Sequence, residues 1–259
     1  MKRIVTRALP LSVFVCLLAL LSSFAAIAQN KTATQKRPQA DKTLSSTGAG
    51  PVVEVAPKSA NKPSAAFLSQ LEMEIIDEMN LARSDPKRYA AFVEEFKTYY
   101  NGNRLMIPGR AKAISTFDGI PAVDEAINFL RAAEPLPPLE VAKGMCLAAK
   151  DHADDLASKG ITGHRGSDGS SPNARVDRYG RWEGAIGETI VYEISTARQI
   201  VISLIIDDGV PNRGHRRNIF DPNYRVAGVS INNSSASGPR CVVDYAGGFK
   251  EKTGETDNR

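Results

Sequence analysis

Histidine, cysteine and tryptophan are scarce in this sequence: 259 residues carry 3, 3 and 1 of them. Cys16 falls inside an N-terminal apolar run, so only Cys146 and Cys241 remain for the folded part. A disulfide-dense scaffold is excluded, and at most one bond is possible. Whether those two cysteines meet or stay as buried thiols is left open by the sequence. The longest apolar run, Leu9 to Leu21, is shorter than the ~20 residues of a membrane span. An HExxH helix, a DxDxDG calcium loop, a nucleophile elbow and an internal repeat are all missing.

A clustered basic face is missing too, although the chain has 33 Lys+Arg against 29 Asp+Glu. Residues 1–28 hold three of the basic residues and no acid. Residues 29–63 hold six (Lys31, Lys36, Arg37, Lys42, Lys58, Lys62) against Asp41 and Glu54. Residues 64–259 are therefore 24 − 27 = −3, and a mildly acidic domain argues against a nucleic-acid partner.

What is present begins with an export signal. Lys2, Arg3 and Arg7 precede the apolar run, and Ala26-Ile27-Ala28 offers small residues to a signal peptidase. The expectation is a secreted chain, extracellular or periplasmic, cleaved near Ala28 and with no membrane span afterwards; an uncleaved anchor is the alternative. Residues 29–63, rich in Lys, Thr, Ser, Ala, Pro and Gln, read as a disordered tether. Residues 64–249 read as one domain and 250–259 as a frayed tail.

Periodicity sets out that domain. Leu71, Ile75, Ile76 and Met79 recur at helical spacing, and Asp85-Pro86 breaks that helix and starts another, Lys87 to Lys97. Residues 98–121 read as a long loop. Helices are expected at Val123 to Ala133, Val141 to Lys159 with Gly160 as its stop, and Thr196 to Asp207. Trp182 to Tyr192 mixes strand-like and turn-like residues. Ala227, Val229 and Ile231, then Cys241, Val243 and Tyr245, alternate as the two arms of a hairpin. Helices beside a small antiparallel sheet make an α+β fold.

Two of the three histidines lie in Gly-flanked loops, Gly163-His164-Arg165 and Gly214-His215-Arg216. With Glu188 of the Gly187-Glu188 step and Asp207 or Asp208 at a helix end, they make a set able to hold zinc or another divalent metal. They would equally suit acid–base work, because imidazole titrates near neutral pH. Spacing alone does not bring them together. His152, on the helix with Ala149 and Leu156, reads as a packed histidine with one hydrogen bond. Asp168-Gly169-Ser170 reads as a turn, braced at the surface by ion pairs of Asp177 with Arg175 or Arg178.

In that order, His164, Gly187-Glu188, a helix ending in acid and Gly214-His215-Arg216-Arg217-Asn218-Ile219-Phe220 resemble the CAP family (cysteine-rich secretory, antigen 5, pathogenesis-related), in its bacterial SCP-like branch. The Ala148 to Leu156 helix and Arg225 to Val229 fit as well. The resemblance implies a three-layer α-β-α sandwich with a central cleft holding His164, Glu188, Asp207 and His215. His164, His215 and Glu188 would be the metal-ligating members. Leu204 stands where the family has an aromatic residue, Asp207 where it has Glu, and Thr189 where it has Asn. The implied function is a secreted module binding a lipid or an envelope or extracellular ligand. The alternatives are a metal-dependent or His-assisted hydrolase, and a protein-interaction domain with a vestigial cleft. The oligomeric state is not implied.

Overall fold

The computed structural model describes residues 66–252. The export signal expected at residues 1–28, the tether expected at 29–63 and residues 253–259 lie outside the described residues.

The chain opens with two helices, α1 (Gln70–Ser84) and α2 (Pro86–Lys97). Ser69 starts α1 by accepting from the Glu72 amide while the Glu72 carboxylate takes the Ser69 amide, a reciprocal cap. Asp85 closes α1 and caps α2 ahead of Pro86, whose missing N–H costs nothing in a first turn. Three two-residue strands follow, β1 (Tyr100–Asn101), β2 (Arg104–Leu105) and β3 (Ile114–Ser115). They form a small antiparallel sheet in the order β1-β2-β3, where a loop was expected. Then come α3 (Ile120–Ala132), β4 (Glu140–Val141) and α4 (Lys143–Lys159). Val141 thus belongs to a strand, and α4 ends on left-handed Gly160.

The second half contains α5 (Pro172–Val176), β5 (Gly180–Tyr192), α6 (Ala197–Ile206), α7 (Gly214–Ile219), β6 (Val226–Asn232) and β7 (Arg240–Glu251). The expected hairpin is β6–β7, widened into a four-stranded sheet of order β4-β6-β7-β5. It is not wholly antiparallel, because β4 runs parallel to β6. The turn-like Trp182–Tyr192 stretch lies in one strand, kinked by a bulge between Glu183 and Ile186 with Gly184 at φ 72°. Lys250 and Glu251, expected in a frayed tail, pair with Arg181 and Gly180.

Alternation along β7 divides the molecule into three layers. Val242 and Ala246 face α4, packing with Ala149, Ala153, Leu156, Met145 and Ala148. Cys241, Val243 and Tyr245 face the larger core on the other side, which α1, α2, α3 and α6 complete. This is the α-β-α sandwich. Gly228 of β6 lets α4 lie directly on the sheet: a Cβ there would meet the Met145 carbonyl carbon at 2.2 Å. Cys146 and Cys241 are both buried and unpaired, and burial pushes each thiol up to about 12.

Arg83 holds the far end together. Fully buried at the end of α1, it donates to the carbonyls of Pro137, Ile219, Asp221 and Tyr224. One guanidinium thereby ties two separate segments, the chain at Pro137 and the stretch from Ile219 to Tyr224, to the end of α1.

Candidate functional site

Each imidazole is positioned by an acid from a different element. His164, in the loop after α4, donates from Nδ1 to Glu188 Oε1 at 2.7 Å. His215, in the first turn of α7 rather than in a loop, donates from Nδ1 to Asp207 Oδ1, also at 2.7 Å. The donor assignment follows from the carboxylates, which can only accept. The two ring centroids stand 6.5 Å apart, so the dispersed histidines do share one site. Their acids are sunk in the protein while the rings reach outward: side-chain exposure is 53% for His164 and 23% for His215, against 1% and 2% for Glu188 and Asp207.

Asp207 gains its place from the end of α6. It adopts the left-handed conformation (φ 55°, ψ 45°), which a short polar side chain tolerates. Its Oδ2 accepts the His215 amide at 2.8 Å, fixing the ring and its backbone together. Arg213 secures the Asp207 carbonyl at 2.8 Å. Asp208 turns away and accepts the amides of Phe117, Asp118 and Gly119 at 2.6–2.8 Å. The second acid of the cleft is therefore Asp207, and Asp208 ties down the inserted small sheet.

Glu188 sits in a more elaborate setting. Its Oε2 takes Arg175 Nη2 at 2.6 Å, and both terminal nitrogens of Arg175 also reach the His164 carbonyl at 3.2 Å. Arg175 is buried and braces the histidine loop against the sheet; it is not the surface ion-pair partner expected of it. That surface role falls to Arg178, which bonds Asp151 and Asp168, and Asp177 takes no part. Asn218, one turn after His215, donates to the Glu188 carbonyl at 3.1 Å, linking the two halves of the site. Gly187 must be small because a Cβ would stand 2.4 Å from the Tyr224 hydroxyl. Thr189 points to the opposite face and pairs with Tyr245 at 3.1 Å.

Directly opposite Glu188 in the β5–β7 register lies Asp244. The Glu193 amide reaches the Pro239 carbonyl, which places odd-numbered β5 residues on the β7 ladder. Glu188 and Asp244 therefore form a non-hydrogen-bonded pair, the kind with the closest side chains. Asp244 is 0% exposed and its two oxygens have no donor. Burial, reinforced by the charge of Glu188, holds its carboxyl well above the usual carboxylate range, and Arg175 only partly offsets them. A protonated Asp244 is the form this setting accepts, able to share its proton with Glu188. His152 is fully buried, donating from Nε2 to the Gly163 carbonyl at 2.9 Å; burial lowers its proton affinity.

The four cleft residues named from the sequence thus converge, while Arg175, Asp244 and Asn218 escaped notice. Glu188 has both oxygens engaged by His164 and Arg175, and Asp207 has both engaged by His215. What remains open to a ligand is Nε2 of each imidazole. No group of three or more His, Cys, Asp or Glu among the described residues is arranged to hold a metal ion. Nor does a hydroxyl or thiol among the described residues bond either ring.

A layered domain with two carboxylate-oriented imidazoles facing each other is the class defined by fold and site. Residues 125–245 match the model of the cysteine-rich secretory protein family, CAP, and that stretch contains both histidines and both acids. Residues 125–245, just under half of the chain, are thus similar to a CAP domain. Among solved structures it is similar to an outer surface protein from Borrelia burgdorferi, at 19% identity and TM-score 0.38, covering 45% of this chain and 80% of that one. It is also similar to an extracellular SCP-domain protein from Bacillus anthracis, at 17% identity and TM-score 0.36, covering 47% of this chain and 37% of that one. A third is a cysteine-rich secretory protein from Staphylococcus aureus, at 12% identity and TM-score 0.33, covering 50% and 38%. This chain thus spans less than two fifths of the last two proteins. Comparison with curated proteins gave no match.

Proposed function

We propose that this is an exported binding module whose cleft anchors the polar group of an envelope or extracellular ligand between His164 and His215. The observation that carries this reading is the pairing of two His–carboxylate contacts, each 2.7 Å long, which fix both rings through Nδ1. Rings held in this way spend no rotamer entropy on binding. A carboxylate on Nδ1 also makes Nε2 a better acceptor and a better metal ligand.

A divalent cation such as zinc would meet only the Nε2 atoms of His164 and His215 here, with Glu188 and Asp207 orienting the rings rather than ligating, and the rest of its shell would come from ligand or water. Such an ion would supply a positive charge toward an anionic group of the ligand. Export is supported by the N-terminal sequence and by similarity to a family of secretory proteins. The hydrolase reading gains no side-chain nucleophile from the geometry, since among the described residues no hydroxyl or thiol bonds either ring.

Calorimetric titration of the protein with zinc, beside a His164→Ala/His215→Ala variant, tests this. One-to-one binding in the parent and none in the variant is the expected result. Absence of binding by a folded parent would show that the imidazoles work as hydrogen-bond anchors without metal.

A further inference from the structure

Phe117 is the most exposed large apolar side chain among the described residues, at 81%, yet its surroundings hold it in place. Its amide donates to Asp208 Oδ2 at 2.6 Å, and its carbonyl accepts from Asn103 Nδ2 at 2.9 Å. The ring lies over Gly209, where a Cβ would stand 2.6 Å from Phe117 Cδ2. Three other rings, Phe92, Phe129 and Tyr192, each carry an arginine guanidinium above them. Among the described residues no cation lies over Phe117. A held aromatic ring in water, with no cation of its own, is a surface prepared for a ligand.

Phe117 and Asp208 both line a groove of about 380 Å³ whose walls include Ile114, Ile190 and Leu204. The acids around this groove are otherwise matched. Asp118 and Glu125 pair with Arg213 and Arg216, Asp207 with His215, and Glu193 with Arg110. Asp208 instead accepts three amides, which satisfy its oxygens without cancelling its charge. No Lys or Arg lines the groove, so the charge there belongs to acids and repels an anion.

We infer that Phe117 and Asp208 form a subsite for a quaternary ammonium group carried on an aliphatic stem, with the stem in the groove. Hydrogen-bond capacity selects this cation over a primary amine. A carboxylate offers about four lone pairs, and three of those on Asp208 are taken, whereas a primary ammonium brings three N–H donors in need of acceptors. A trimethylammonium brings none. It is drawn by the carboxylate charge and by the negative face of the ring, with its methyls packed on Phe117. This goes beyond the imidazole anchor, because neither Phe117 nor Asp208 touches His164 or His215 and neither needs an ion between them.

The test is calorimetric titration of the full chain with octyltrimethylammonium, octylammonium and octanol, each below the concentration at which it aggregates. Saturable binding of the first is expected, about tenfold weaker binding of the second and none of the third. Phe117→Leu keeps an apolar side chain and the Asp208 bonds but removes the aromatic face, and should weaken octyltrimethylammonium about tenfold with unchanged circular dichroism. Asp208→Asn removes the charge and should weaken it at least as much. Competition by choline would identify a free cation as the natural source; competition by phosphatidylcholine vesicles without choline would identify a membrane headgroup. Zinc titration of Phe117→Leu, whose imidazoles are intact, separates failure of this subsite from failure of the anchor. Equal affinity for octanol, tighter binding of octylammonium, parental affinity in Phe117→Leu, or no binding by the folded parent would each overturn the proposal.

Discussion

Replacing Asp244 by asparagine should change how stability depends on pH, and the size of the change can be worked out beforehand. Asp244 lies fully buried opposite Glu188, with its proton affinity raised first by burial and then by that neighbouring charge. A carboxyl with a raised folded pKa binds its proton more tightly in the folded state than in the unfolded one. Its stabilising contribution is complete below the unfolded pKa of about 3.9 and is lost as pH rises toward the folded value. While Asp244 keeps its proton, the loss is about 1.4 kcal/mol per pH unit. Asparagine has nearly the same shape, can donate to Glu188 and carries no such proton. Buried His152 imposes the opposite slope, since its lowered affinity costs stability as pH falls below about 6.5, but it is present in both proteins and cancels. Urea unfolding followed by Trp182 fluorescence at pH 5, 6 and 7 should show Asp244→Asn gaining on the parent as pH rises, with that slope as the ceiling. Parallel curves, within about 0.5 kcal/mol, would refute a protonated Asp244.

Other consequences are equally direct. Arg83→Met strips donors from four carbonyls, two of them in buried bonds, and should cost about 3 kcal/mol in urea unfolding. Gly228→Ala drives a methyl into the α4 backbone and should cost about 3 kcal/mol by the same assay, whereas Gly163→Ala, where a Cβ has open space, should cost only backbone strain of about 1 kcal/mol. Asp207→Asn releases the His215 ring and should weaken zinc binding about tenfold to a hundredfold. Asp208→Asn should leave the zinc isotherm alone but speed hydrogen exchange at the amides of Phe117 to Gly119.

The helices were legible because period and punctuation agree. Ile75, Ile76 and Met79 mark one face, Asp85-Pro86 and Gly160 mark boundaries, and α1, α2 and α4 fall within about two residues of expectation. The small inserted sheet was not legible, since two-residue strands contain no period to detect. β5 was obscured by its own bulge: Glu183-Gly184-Ala185 reads as a turn, and only pairing with β7 carries the strand through it. The same pairing holds Lys250 and Glu251 in the sheet, against their polar, tail-like sequence.

That bulge also explains why half of the site was hidden. His164, Glu188 and His215 were marked by glycine-flanked motifs, and Asp207 by its position at a helix end. Asp244 carries no such mark. In Cys241-Val242-Val243-Asp244-Tyr245-Ala246 strict alternation places it on the same face as Val242 and Ala246, which is where α4 packs. An acid on a buried face is a violation that the sequence alone does show, and such violations gather at functional sites. Its partner depends on register, and register across a bulge cannot be counted from sequence because each extra residue exchanges the faces. Counted without the bulge, Glu188 would not oppose Asp244. With it, the two carboxyls meet beneath His164, where buried Arg175 bonds the Glu188 carboxyl. The orientation of His164 therefore depends on a residue 80 positions away in sequence, through a pairing that exists only once β5 and β7 are joined.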